Sequence, residues 1–320
     1  MPEGDLSRSP RLDTRKFRDP DVTAAGEPRA SVPWVGFQTL WFNTGTLCNI
    51  TCQGCYIESS PTNDRLAYLS LADVQTYLDE IEREGLDVPE IGFTGGEPFM
   101  NKELPAILGA CLARGHRVLI LTNAMKPMHH RKQTLLDLKA AYGDRLAFRV
   151  SLDHYSSRYH EKLRGANTWT PAFEGFIWLS KNGFNLSCAG RTCWDEDEAA
   201  LRRGYDRLFA AHGIAIDVND PAALVLFPEM DEQIDVAEIT TGCWDILGVH
   251  PETVMCASSR MVVKRKGAAA PVVLSCTLLP YDPQFEMGTR LVDALRPVKL
   301  NHPHCARFCV LGGGSCSIAT

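Results

Sequence analysis

No stretch of this 320-residue chain approaches the ~20 consecutive apolar residues that span a bilayer, so no helical membrane span is expected. The N-terminal stretch has no apolar core either, which excludes a secretory signal there and leaves the cytoplasm as the expected compartment. Its acidic and basic side chains are interspersed with prolines, and residues 1–32 are expected to form a solvated, disordered arm. Positive charge is not in excess. With 33 Lys and Arg against 39 Asp and Glu, the net charge of −6 speaks against a nucleic-acid partner, which would ask for a basic face. No internal repeat is visible.

What is present is an ordinary globular composition, 45% hydrophobic and 22% charged, in a chain long enough for one large α/β domain and a smaller appendage. From about residue 35 to 218, β-type runs alternate with helical patterns. Strands are expected at Phe37–Phe42, Glu90–Thr94, Arg117–Leu121, Leu146–Leu152, Phe184–Ala189 and Ile214–Val218. Ser70, with Asp73 three residues on, opens a helix lined by Leu71, Val74, Leu78 and Ile81 and closed by Gly85. Thr170-Pro171 starts another that Gly183 ends, and Asp195-Glu-Asp-Glu starts a third that runs to Gly213. Strands alternating with helices imply right-handed βαβ units around a parallel sheet, either doubly wound or a partial barrel. In both, chemistry collects in the loops that follow the strands.

Cysteine is abundant: there are 12. In a reducing compartment they point to metal ligands, catalytic thiols or core residues rather than disulfides. Cys111, on an apolar helical stripe, is read as core. Cys48, Cys52 and Cys55 lie within eight residues on a polar loop after the first strand. Three thiolates are one too few for a closed tetrahedral site, so either a distant residue closes a metal centre here or one position stays open, and the open position fits the rest of the chain better. The next strand ends in Gly95-Gly96-Glu97-Pro98, where glycines allow close backbone approach to a ligand and a carboxylate sits beside it.

Together these residues resemble the radical S-adenosylmethionine (SAM) superfamily. The resemblance implies a partial (β/α)6 TIM-like barrel over residues 33–240, with a small cysteine-rich appendage over 241–320. It implies that Cys48, Cys52 and Cys55 hold a [4Fe–4S] cluster whose remaining iron is chelated by SAM. Gly95, Gly96 and Glu97 match the motif that engages the methionine amino group. Asn123, Ser151 and Asp153, at strand ends, match positions that contact ribose and methionine, and Arg191 is a candidate for the SAM carboxylate. One departure stands out. The family's aromatic residue before the third cysteine is Gly54 here, with Tyr56 following, so the adenine contacts must differ.

Past Pro221 the pattern changes. Arg260–Lys264 and Pro271–Ser275 read as the arms of a hairpin around Lys266-Gly267. Cys256, Gly267, Cys276 and Met287-Gly288 resemble the hairpin that opens SPASM and twitch domains, which hold auxiliary iron–sulfur clusters. Cys305, Cys309 and Cys316 follow, so these five cysteines are candidate ligands of an auxiliary [4Fe–4S] cluster. Zinc is the alternative there, with His302 and His304 as further ligands. Cys243 is left over. His154, Tyr155 and Cys193 are candidates for moving a proton or hydrogen atom near a substrate, and His129-His130 is read as a solvated turn.

The expected activity is reductive SAM cleavage and hydrogen abstraction from a C–H bond of a peptide or small metabolite, with flavodoxin or ferredoxin as electron donor. The residues ahead of the first strand are too few for a separate peptide-docking domain. A non-catalytic zinc- or iron–sulfur-binding redox sensor is the competing expectation. It leaves Gly95–Pro98 and the strand-end polar residues without a role.

Overall fold

The computed structural model describes residues 10–314, so Cys316 lies outside the described residues. The strands are β1 (Ser31–Val32), β2 (Thr39–Asn43), β3 (Glu90–Thr94), β4 (Arg117–Thr122), β5 (Leu146–Ser151), β6 (Asn185–Arg191), β7 (Leu224–Phe227), β8 (Ser259–Val263), β9 (Val272–Leu274) and β10 (Val298–Lys299). The helices are α1 (Leu71–Glu84), α2 (Leu104–Ala113), α3 (Lys126–His129), α4 (Lys132–Tyr142), α5 (Ser157–Arg164), α6 (Trp169–Lys181), α7 (Glu198–Ala211) and α8 (Cys243–Leu247). One eight-stranded sheet has the order β7-β6-β5-β4-β3-β2-β8-β9, parallel from β7 through β8 and antiparallel only at the β8–β9 hairpin. From β2 to β7 consecutive strands are neighbours, so right-handed crossovers carry the main connecting helices over one face. The sheet is left open, not closed: a partial barrel with a helical outside and a concave inside.

Alternation along the strands separates the two faces. Leu40 and Phe42, Val118 and Ile120 join the core beneath the helices, while Trp41 and Leu119 belong to a second apolar cluster with Met261 and Val263. Gly92 is what lets Trp41 lie across the neighbouring strand: a Cβ there would come within 2.4 Å of the indole ring. The helix ends follow their sequence signals. Ser70 and Asp73 form a reciprocal capping box on α1, and Gly85 closes it in the left-handed conformation. Asp197 caps α7.

Two expectations are corrected. Residues 10–32 are not a solvated arm. Ala30 and Val32 are buried, β1 pairs with β10, and Arg29 is sealed in an ion pair with Glu238 at 2.5 Å. The strand expected at Ile214–Val218 is not formed; it lies on at Leu224–Phe227, which pairs with β6. Ile214 and Val218 are buried as apolar residues of a turn that Asp217 stabilises by accepting from Asn219 N, so their alternation reports burial, not strand. The hairpin is where the sequence puts it, and its first arm joins the main sheet: β8 lies parallel to β2.

Candidate active site and cysteine centres

The concave face ends, above the strands, in a cavity of about 1150 Å³ including its open mouth. Cys48, Cys52 and Cys55 line it together with Gly95, Gly96, Asn123, Ser151, Asp153 and Arg191. Most of these positions alternate along their strands. Leu121 and Asn123, Arg149, Ser151 and Asp153, and Ala189 and Arg191 each face inward two residues apart. Arg149 was absent from the sequence expectations although it stands two residues before Ser151, and that spacing was the available signal.

The cysteine loop is sewn down on three sides. Cys48 N donates to Ser60 O at 3.0 Å, Gln53 N to Leu163 O at 2.7 Å, and Glu97 N to Leu47 O at 3.1 Å. The Gly-Gly pair serves this seam. A Cβ on Gly96 would fall 2.1 Å from Leu47 O, and one on Gly95 would fall 2.6 Å from Gly45 O. The close approach expected toward a ligand is therefore made first to the chain's own loop.

Glu97 is buried, and its carboxylate accepts from Thr122 Oγ1 at 2.8 Å, Asn123 N at 2.9 Å and Phe99 N at 3.2 Å. Burial pushes its pKa up to about 7 against those bonds. It ties the end of β3 to the end of β4. Asn123 in turn donates from Nδ2 to Asn49 Oδ1 at 2.9 Å and reaches Cys48 Sγ at 3.9 Å. Burial raises the Cys48 thiol to about 12 and raises Cys52, where Arg164 works in the opposite direction.

Arg164, at the end of α5, had no sequence signal. It grips Asp153 through two bonds, Nε to Oδ2 at 2.7 Å and an Nη to Oδ1 at 3.1 Å. Burial alone would raise the Asp153 pKa, but the guanidinium wins and holds it below the usual carboxylate range. Asp153 lines the cavity, yet its carboxylate is committed to Arg164. Arg191 differs: one amino group donates to Glu229 Oε1 at 3.1 Å, and its buried Nε has no protein partner. Gly54 sits at φ +65°, with its Cα face toward the Arg191–Glu229 pair. The far wall is apolar, built from Phe227, Met230, Leu278 and Phe308.

His154, Tyr155 and Cys193 do not line the cavity. His154 is buried against Tyr155, Tyr159 and Trp194, and both it and Tyr155 hydrogen-bond Glu196. Tyr155 lies flat on Gly204 of α7, where a Cβ would come within 2.1 Å of its ring. Cys193 is half-buried, its thiol raised to about 11 by burial.

In the last quarter, Cys256, Cys276 and Cys305 are close enough that the first two raise the Cys305 thiol further, after burial has already pushed it well up. Cys305 and Cys309 are one turn apart on a π-helical segment, Cys305–Val310. Arg260 lies beside Cys256, sealed under Trp34 at 4.1 Å and bound to the carbonyls of Cys256, Ser259, Ala294 and Arg296. His302 Nδ1 accepts from His304 N, its Nε2 lies 3.6 Å from Glu232, and burial lowers both imidazoles to about 4. Cys243 stands apart, accepting from Thr240 N at 3.3 Å, and Cys111 is buried core as expected. Among the described residues no three His, Cys, Asp or Glu side chains converge on a single-ion site. The donor set at Cys48, Cys52 and Cys55 fits a cubane, in which each thiolate takes its own iron, better than an ion that needs its ligands at one point.

Comparison with known proteins agrees. The sequence profile of the radical SAM superfamily matches residues 42–198. The antilisterial bacteriocin subtilosin biosynthesis protein AlbA of Bacillus subtilis is 32% identical over 118 residues, 37% of this chain and 25% of AlbA. A GTP 3′,8-cyclase of Tolumonas auensis is 28% identical over 150 residues, 46% of this chain and 42% of the cyclase. The chain thus spans less than half the length of these two curated relatives. Among solved structures, Streptococcus suis SuiB bound to its precursor peptide SuiA superposes with a TM-score of 0.59 at 12% identity, covering 82% of this chain and 65% of SuiB. The anSMEcpe structure with AdoMet and the Cp18Cys peptide superposes with a TM-score of 0.55 at 12% identity, covering 85% and 88%. At that identity the likeness is one of fold.

Proposed function

The chain belongs to the radical SAM superfamily through residues 42–198, and from that premise we propose that it modifies a peptide by removing a hydrogen atom from one of its C–H bonds. Membership brings a [4Fe–4S] cluster and SAM, which when bound supply a 5′-deoxyadenosyl radical for that abstraction. The observation that carries the proposal is the single cavity in which Cys48, Cys52 and Cys55 face Asn123, Ser151 and Arg191.

Cys48, Cys52 and Cys55 hold the cluster. Gly95, Gly96 and Glu97 hold the loop against β3 and β4, and present the backbone of that seam to the methionine amino group. Arg191, with its buried Nε still unpaired, receives the SAM carboxylate. Ser151 offers its hydroxyl to ribose or methionine oxygens. Asp153 acts through Arg164, fixing a cation beside Cys52. Phe227, Met230, Leu278 and Phe308 keep water from the far side of the cavity and receive an apolar side chain of the substrate. An auxiliary [4Fe–4S] cluster takes its four thiolates from among the candidates Cys256, Cys276, Cys305, Cys309 and Cys316.

Support for a peptide comes from the apolar wall and from the relatives: AlbA by its name serves bacteriocin biosynthesis, and SuiB and anSMEcpe are seen with peptides. The test is anaerobic reconstitution with iron and sulfide, dithionite reduction and addition of SAM. Formation of 5′-deoxyadenosine is expected; zinc retained without iron uptake would refute the enzyme. For the substrate, a deuterated synthetic copy of a short peptide encoded beside this chain should pass deuterium into 5′-deoxyadenosine. Transfer only from a deuterated nucleotide would move the proposal to a small metabolite.

A further inference from the structure

We propose that the groove behind the cysteine loop, bounded by α3 and the turn after Glu97, is the docking surface for a small acidic one-electron carrier. The inference rests on the cluster assignment above and adds the route by which its electron arrives.

The cysteine loop is a thin wall with a cavity on one side and this groove on the other. Cys48 and Ile50 line the cavity, whereas Asn49, between them, lines the groove. Asn49 lies against the groove floor, its Nδ2 3.7 Å from Met125 Sδ. Its Oδ1 accepts from Asn123 Nδ2, which itself stands 3.9 Å from Cys48 Sγ. A protein seated here is separated from a cluster ligand by one layer of side chains. Electron transfer needs that nearness.

The groove's chemistry selects the partner. Its floor is apolar, with Phe99, Met125 and Pro127, and its rim carries Lys102, Lys126 and Arg131. Lys102 and Lys126 are exposed, and no Asp or Glu lines the groove. Glu103, the adjacent carboxylate, is outside the lining and turned to α1, where it accepts from Leu71 N at 2.8 Å. This positive rim belongs to a chain whose net charge is −6, so it is a local departure from the whole. A patch of one sign around an apolar centre steers an oppositely charged protein and then seats it. In the step itself the carrier gives up one electron and is oxidised, and the cluster takes one electron and is reduced; no bond is made and no proton need move.

The experiment uses the reconstituted holoprotein and reduced flavodoxin, an acidic flavoprotein, as the probe. Cluster reduction is followed by its visible absorbance in stopped flow, and flavodoxin affinity by calorimetry. In the wild type the flavodoxin rate should fall steeply as salt is raised. In Lys102→Glu/Lys126→Glu it should drop about tenfold or more at low salt, with affinity falling in parallel. Iron content and the rate with dithionite, a small reductant that needs no docking, should stay at wild-type values. The milder Lys102→Gln/Lys126→Gln pair should lie between. A salt-independent flavodoxin rate, or unchanged rate and affinity in both variants, overturns the proposal. A wild-type protein that dithionite cannot reduce would instead overturn the cluster assignment, and this inference with it.

Discussion

The two cysteine regions solve the same problem, placing several thiols near one another, in opposite surroundings. Cys48, Cys52 and Cys55 sit on a polar loop at the rim of an open cavity, beside a cation that is itself paired: Arg164 on Asp153. Cys256 and Cys305 are buried in the continuous apolar core, and their neighbouring cation, Arg260, is held by four backbone carbonyls and no carboxylate. An open rim lets a ligand that is not protein complete the metal site. A sealed apolar pocket suits a centre that exchanges electrons but no ligands. The difference teaches that cysteine spacing names the metal chemistry, while access decides which centre can do catalysis.

The largest test of this comparison is to remove one thiol from each region. Cys52→Ala should abolish 5′-deoxyadenosine formation and lower iron by about four atoms per chain. Cys305→Ala should lower iron by a similar amount and leave SAM cleavage in place. If Cys305→Ala also abolished cleavage with the first cluster intact by electron paramagnetic resonance, the division of labour would be broken.

Next in size is the paired cation. Arg164→Met leaves Asp153 buried and charged without a partner and should cost about 3–5 kcal/mol in chemical denaturation. Adding Asp153→Asn should recover most of that loss. No recovery would mean that Arg164 acts through packing and not through its charge.

A pH test follows from Glu97. Its pKa in the folded chain, about 7, is above the ordinary carboxylate value, so the folded state binds the proton more tightly than the unfolded one. Stability therefore declines as pH rises from about 4.5 to about 7, by on the order of 3 kcal/mol, and is flat beyond. Asp153 has the opposite sign: its lowered pKa gives stability that is lost as pH falls below the ordinary carboxylate range. Glu97→Gln should remove the decline seen by denaturation between pH 4.5 and 7, and Asp153→Asn should blunt the acid limb. A Glu97→Gln profile parallel to wild type would refute the assignment.

The smallest effect is expected at Gly54. Its φ of +65° disfavours any side chain, but a Cβ there meets nothing closer than 3.7 Å. Gly54→Ala should cost roughly 1–2 kcal/mol and leave iron uptake unchanged. A larger loss, or a loss of iron, would mean that this loop tolerates no adjustment around the cluster.

Much of the fold was legible because its cues are local. The capping residues Ser70, Asp73 and Gly85 and the strand at Glu90–Thr94 act through near neighbours, and they appear where the sequence places them. The failures have physical reasons. Alternating apolar residues at Ile214–Val218 satisfy burial as well in a turn as in a strand. Residues 10–32 look solvated because their charges cancel in the sequence, yet Arg29 finds Glu238 more than 200 positions away. In the site, Cys48, Cys52 and Cys55 were visible from their spacing, and the strand-end polar residues from the resemblance to the superfamily. Arg164 was not, since it reaches Asp153 from the far end of a helix whose sequence reads as an ordinary exposed one.

By itself, then, the sequence determined the cysteine spacing, the Gly-Gly pair and the order of strands and helices, because each is set by residue chemistry within a few positions. Tertiary structure decided the rest. It placed the Gly-Gly pair against the cysteine loop, withdrew Asp153 into an ion pair, laid Tyr155 on α7 and His154 against Trp194, and drew the C-terminal hairpin into the main sheet. Those outcomes depend on which distant side chains satisfy one another when water is excluded, and no local pattern records that.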